Sequence, residues 1–311
     1  MLQTPPTPLI RLGNLFPERQ VHAKCEFVAP SGCFKIRGAV HLLTHLSKAG
    51  QKRLLVVPSM GNTALGMAVA AREFGFRMVG VVPQTIGRAK DERLQALGVE
   101  LIKVAGGGTA LLERATQVAQ ERDGYFVHPH LDPLWTDGYQ SMMQEIVHAL
   151  PGCRSIVFPV GGGGLLMGLT EYLLAHPAHV TLVGCEAYNA PTYAPYHHAR
   201  APTIADGLLL EVPHPKVQER IAQAGVAIRL VRDAAIQKAM ADLYANQGLV
   251  VEPSSAVTVA LVQMALEELL DPICVVLTGE NIAREDFYRL IAPELPPLQG
   301  GFATSPRIAR E

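Results

Sequence analysis

From Leu54 onward the chain alternates between short runs rich in Val, Ile and Leu that end at Gly or Pro, and longer stretches whose apolar residues recur at helical spacing. The runs at 54–58, 78–82, 100–104, 125–128, 155–160, 181–185, 227–231 and 273–277 read as strands, with helices between most of them. This alternation predicts an α/β fold built on parallel sheets. Eight strands could close one barrel or form two sheets. The spacing breaks at 132–139 and again across 187–215, where Pro, Tyr and His replace periodic structure, and two open-sheet domains fit better. The expected division is a small mobile domain at 47–130 and a larger domain made of 1–46 and 131–311.

Composition narrows the partner. The 311 residues are 49% hydrophobic, enough for substantial cores, and a disordered or fibrous protein is excluded. The 27 basic residues nearly cancel the 28 acidic ones, so there is no broad field to hold nucleic acid or an anionic membrane, and a small molecule becomes the expected partner. The proline-rich start lacks the apolar stretch of a signal peptide, and no apolar run reaches the roughly 18 residues of a membrane span. A cytoplasmic protein is expected. Five scattered cysteines read as reduced thiols rather than a disulfide framework.

Five segments carry candidate chemistry. Ser31-Gly32-Cys33-Phe34-Lys35 delivers a lysine from a small-residue turn to the start of an apolar helix. Pro58-Ser59-Met60-Gly61-Asn62-Thr63 ends a strand and opens a helix, where free N–H groups and hydroxyls suit a carboxylate; an ordinary helix cap made by Asn62 or Thr63 is the plainer alternative. Gly161-Gly162-Gly163-Gly164-Leu165 also joins a strand to a helix. Four successive glycines are costly to order, and a wrap of N–H groups around a phosphate needs backbone free of Cβ atoms. Thr278 closes an apolar strand, and Glu252 stands before a proline-initiated helix; both could be simple caps.

In this order and at these separations the five segments resemble the fold type II, tryptophan-synthase-like, pyridoxal-phosphate enzymes, and most closely their serine/threonine dehydratase and serine racemase branch. Thr7-Pro8-Leu9 and Thr203-Ile204-Ala205-Asp206-Gly207 are similar to further strings of that branch, so the likeness covers nearly the whole chain. It implies a two-lobed, three-layer open-sheet fold, pyridoxal 5′-phosphate held as a Schiff base on Lys35, and Phe34 beside the ring. It further implies that Asn62 contacts the 3′-oxygen, that Gly161, Gly162, Gly163, Gly164 and Leu165 wrap the phosphate, that Glu252 belongs to the cofactor site, and that Thr278 partners the pyridine nitrogen. The substrate carboxylate falls to Ser59, Met60, Gly61, Asn62 and Thr63.

A neutral hydroxyl at 278 cannot enforce a protonated ring, which favours expulsion of a β-substituent over transamination. The expected function is an ammonia-lyase that converts L-threonine, L-serine or a related 3-hydroxy amino acid to a 2-oxo acid and ammonia. Thr63 replaces the histidine common in dehydratases and resembles threonine and cysteine synthases, so a β- or γ-replacement synthase is the alternative; a non-catalytic amino-acid-binding protein is the third reading. Met60 stands where racemases carry a proton-shuttling serine, which argues against two-base racemisation. The branch's cation site maps to Glu186 and Ala190 with Thr192 in place of an aspartate, which admits a monovalent or divalent ion or none. Cys33 replaces a common hydroxyl residue and is expected to bring sensitivity to oxidation. The family suggests a homodimer, and the short tail after Asn281 suggests an enzyme without an appended regulatory domain.

Overall fold

The structure is a computed structural model that describes residues 4–59, 61–128, 130–195 and 200–295. Among the described residues, ten strands form two sheets. The larger sheet contains β1 (Leu9–Arg11), β2 (Val21–Cys25), β7 (Ser155–Pro159), β8 (Thr181–Ala187), β9 (Ala227–Val231) and β10 (Ile273–Leu277) in the order β1-β2-β10-β7-β8-β9. Only β1 runs antiparallel, on the edge against β2. The smaller sheet, all parallel, contains β3 (Leu55–Pro58), β4 (Met78–Pro83), β5 (Glu100–Val104) and β6 (Tyr125–Phe126) in the order β5-β4-β3-β6.

Burial follows position in the sheet. The inner strands β3, β4, β7 and β10 are buried at every residue, as parallel strands covered on both faces must be, whereas the edge strands β5 and β9 are partly exposed. Around the small sheet lie α2 (Asn62–Phe74), α3 (Arg88–Ala96) and α4 (Gly108–Glu121). Around the large one lie α1 (Lys35–Lys48), α5 (Pro133–Thr136), α6 (Gln140–Ala149), α7 (Gly164–Ala175), α8 (Pro215–Ala224), α9 (Asp233–Gln247), α10 (Pro253–Ala265) and α11 (Arg284–Ile291). No helix among the described residues is long and apolar enough to cross a membrane.

All eight strands read from the pattern are present, several shifted by one or two residues at an end. Of the two missed strands, β1 is only three residues long, and β2 precedes the alternating part of the chain. β2 also carries Lys24, a residue that reads as surface but is only 1% exposed. Its ammonium donates to a Glu145 carboxylate oxygen at 2.5 Å and to the Thr7 carbonyl at 2.6 Å. Helices α1 and α2 cross at Gly66, where an added Cβ would lie 2.8 Å from Lys35 Cβ and 2.9 Å from its carbonyl carbon. A single apolar core runs through this crossing from Leu55 and Val57 on β3 to Ile156 and Phe158 on β7.

Candidate active site

The carboxyl ends of β3, β7 and β10 and the first turns of α1, α2, α4, α7 and α10 converge on one cavity of about 340 Å³. Its wall contains Phe34, Lys35, Ser59, Gly61, Asn62, Thr63, Gly161, Gly162, Gly163, Gly164, Leu165, Glu252 and Thr278, which reach it from five separate parts of the chain. Ligands gather at such strand ends because helix N-termini present unpaired N–H groups there. Met60 lies outside the described residues.

Lys35 is the first residue of α1, and the turn before it is strapped to the end of β10. Phe34 N–H donates to the Thr278 carbonyl at 3.0 Å, Glu280 N–H donates to the Gly32 carbonyl at 3.0 Å, and Cys33 bridges to Gly279. The Lys35 Nζ stands 4.6 Å from the Phe34 ring centre and 5.9 Å from that of Tyr139, the two rings packing at 4.9 Å. Burial favours the neutral amine and lowers Lys35 to about 8, against the opposing pull of Cys33 and Glu252. The neighbouring Cys33 is fully buried, and burial pushes its thiol up to about 11. A protonated, enclosed thiol is the opposite of a reactive one, which corrects the expectation of oxidation sensitivity.

Across the cavity, the turn from β3 into α2 is capped by Ser59 rather than by Asn62 or Thr63. Its Oγ accepts from Gly61 N–H at 2.9 Å and Ala64 N–H at 3.0 Å. The Asn62 side chain is thereby free to bridge two other residues. Its Nδ2 donates to Glu252 Oε1 at 2.7 Å, while its Oδ1 accepts from Asn281 Nδ2 at 2.9 Å. Glu252 is 3% exposed, and its Oε2 has no hydrogen-bond partner among the described residues. Burial pushes this carboxyl up to about 7, with Lys90 the largest opposing influence. A buried acceptor left open on a cavity wall is a group waiting for a donor.

The glycine run leaves β7 and enters α7. Space as well as conformation enforces its composition: a Cβ on Gly161 would lie 2.8 Å from the Gly207 carbonyl oxygen, and one on Gly162 would overlap the His130 ring at 2.1 Å. Gly163 has φ +86°, a left-handed conformation that L side chains disfavour. His130 and His214, whose rings lie 5.8 Å apart, also line the cavity beside this loop, as do Ser254 and Leu208.

The remaining pair, Glu186 and Ala190, does not reach the cavity wall. Glu186 is 1% exposed, and its carboxylate accepts three backbone N–H groups, from Thr192 at 3.1 Å, Tyr193 at 2.9 Å and Ala194 at 3.1 Å. These positive donors point where a cation would need oxygen ligands, and no group of three His, Cys, Asp or Glu residues suited to a metal occurs among the described residues. The donor set does not fit a divalent cation. Sequence reasoning missed Tyr139, His130, His214 and Lys90, which arrive from other elements and carry no local motif. The pairing of Asn62 with Glu252, 190 residues apart, was equally hidden.

Comparison with known proteins supplies independent findings. A family profile described as pyridoxal-phosphate dependent enzyme matches residues 1–279. An L-threonine ammonia-lyase of Thermotoga maritima is 31% identical over 270 residues, covering 85% of this chain and 67% of that protein. The processed form of threonine deaminase isoform 2 from Solanum lycopersicum superposes with a TM-score of 0.84 at 22% identity, over 93% of this chain and 83% of that one. The structure of maize serine racemase, at 22% identity and a TM-score of 0.81 over 94% of each chain, shares the same fold.

Proposed function

This chain belongs to the pyridoxal-phosphate-dependent enzymes, and from that membership we propose that it is an ammonia-lyase that converts L-threonine, L-serine or a related 3-hydroxy amino acid to a 2-oxo acid and ammonia. The observation that carries the reading is the convergence of the Lys35 amine, the glycine turn 161–164 and the α2 turn on one cavity.

The residues present fit the cofactor. The glycine turn is a cradle that Cβ atoms would fill, Glu252 Oε2 is an open buried acceptor, and Lys35 is an amine held partly neutral by burial. A volume of about 340 Å³ lies within the roughly 300–1,000 Å³ of small-molecule sites. Bound there, pyridoxal phosphate supplies an aldehyde that condenses with amines and a ring that draws electrons from the Cα of an amino acid.

The rest of the chemistry belongs to the chain. Gly161, Gly162, Gly163, Gly164 and Leu165 present N–H groups at the start of α7 and hold the phosphate. Phe34, backed by Tyr139, would wall the ring, and Thr278 would offer its nitrogen a neutral hydroxyl. Asn62, fixed from both sides by Glu252 and Asn281, holds the ring oxygen. Ser59, Gly61 and Thr63, with the backbone of Asn62, orient the substrate carboxylate. The Lys35 Nζ, lowered to about 8 by burial, takes the Cα proton; with a proton returned to it the β-hydroxyl leaves as water, and a water then hydrolyses the released enamine to the 2-oxo acid and ammonia.

No step is routed through Glu186, whose oxygens are engaged by N–H groups. The small unit 47–130 is proposed to move against the rest, and the working form is proposed as a cytoplasmic homodimer. In the direct experiment, purified, cofactor-loaded protein is incubated with L-serine and L-threonine and 2-oxo acid is measured. Release is expected for at least one of them. Thr63 keeps a replacement synthase as the second reading, and added sulfide that yields a new amino acid faster than oxo acid would install it.

A further inference from the structure

Lys90, on α3, is a charged residue beside the cavity that the proposed chemistry does not use. Its ammonium pairs with Asp206 Oδ2 at 2.9 Å, joining a helix of the small sheet to the short turn Asp206–Leu208 beside the large one. Its stem lies on Gly61: a Cβ there would sit 2.6 Å from Lys90 Cδ and 3.3 Å from Nζ. Gly61 has φ +149°, so the absence of a side chain at this position both permits the turn and makes room for the lysine. The Lys90 side chain is 16% exposed, whereas Asp206 is 51% exposed and belongs to the cavity wall. The Lys90 Nζ thus lies against Gly61 of the cavity wall, and in keeping with that position Lys90 is the largest influence opposing the raised pKa of Glu252.

An ammonium on the turn that meets the substrate carboxylate, held by a half-solvated aspartate, is poised for exchange. We infer that Lys90 is a carboxylate-binding cation of this site, which trades Asp206 for the α-carboxylate of the incoming amino acid. The inference rests on the amino-acid-binding reading of the cavity, and not on the fate of the bound amino acid. A pair with a partner this exposed contributes little net stability, so giving it up costs little. The ionic hydrogen bond gained is stronger than those from the neutral N–H groups of the turn. Asp206 returns to water as the lysine leaves it.

The test uses holoenzyme and reads ligand binding from the visible absorbance of the bound cofactor. L-serine and L-serinamide differ in the carboxylate alone. The wild type is expected to prefer L-serine, and Lys90→Met to narrow that preference about tenfold or more, the worth of a charged hydrogen bond, through weaker L-serine binding with L-serinamide and cofactor uptake unchanged. Asp206→Asn, which removes the competitor, should tighten L-serine binding. An unaltered preference in Lys90→Met, or weaker L-serine binding in Asp206→Asn, overturns the assignment; the second variant decides the matter if the first does not fold. A protein that binds L-serine with this pattern yet releases no oxo acid would refute the lyase reading and leave Lys90 in place.

Discussion

Helix α1 separates two buried sets of charges that are treated in opposite ways. Behind it, Arg37 is satisfied almost completely. It donates to Glu26 at 2.7 and 2.9 Å, to Glu145 at 2.6 and 2.7 Å, and to Ser141 Oγ at 3.0 Å. Its burial disfavours the charge, and Glu26 and Glu145 nonetheless hold its pKa raised. In front of it, two residues earlier, the Lys35 amine faces aromatic rings without such a partner among the described residues and is depressed, while Glu252 keeps one oxygen open. The paired set fixes the helix; the unpaired set keeps groups reactive. Satisfaction marks structure and deficiency marks chemistry.

The largest test removes the reactive side of this contrast. Lys35→Ala should lower oxo-acid release by about a thousandfold or more, the scale of a lost catalytic proton carrier, and abolish the covalent visible band while the fold melts as before. The matching break on the other side is Arg37→Met, which takes the ionic partner from the fully buried Glu26 carboxylate and leaves Glu145 with Lys24 alone. It should cost about 3–5 kcal/mol in urea unfolding, whereas replacing Lys24, Glu26, Arg37 and Glu145 together by apolar residues, which leaves no charge of the set stranded, should cost less than that single change.

A smaller effect concerns protons. Because burial lowers Lys35 to about 8, the neutral amine that captures cofactor becomes more abundant as pH rises through that value rather than through the usual lysine range. The rate of cofactor uptake by apoprotein, followed by absorbance, should therefore rise with a midpoint near pH 8. Glu252→Gln removes an anion that favours the ammonium, and should move this midpoint lower. The smallest expected effect is none: magnesium or a chelator should leave the melting temperature unchanged to within about 1 °C, since a cation that does not bind the native state cannot stabilise it. A clear upward shift with magnesium would mean that the N–H groups around Glu186 give way to an ion.

How much of this was legible in the sequence follows the same division. The inner strands announce themselves because a strand covered on both faces must be apolar throughout. The glycine run and the turn after β3 are readable because their chemistry depends on consecutive residues. The buried ion cluster was not, for Lys24, Glu26 and Arg37 resemble surface residues until Glu145 arrives from 121 positions beyond Lys24. Lys90 and His130 failed to register for a related reason. Each acquires meaning by lying against a glycine, and a missing side chain does not say what fills its place.

The contact of Gly66 with the backbone of Lys35 bears on how the enzyme could open. The start of α1 carries the amine, and α2 begins at the turn proposed to receive the carboxylate; with no side chain at Gly66 to hold them apart, the two helices are in close contact there. Any rocking of the small sheet would turn about that contact. With the hinge placed there, the amine would keep nearly the same separation from the turn in front of it while parts of the small sheet farther from Gly66 moved more. Such a jaw could admit and release guests while its working teeth stay in alignment.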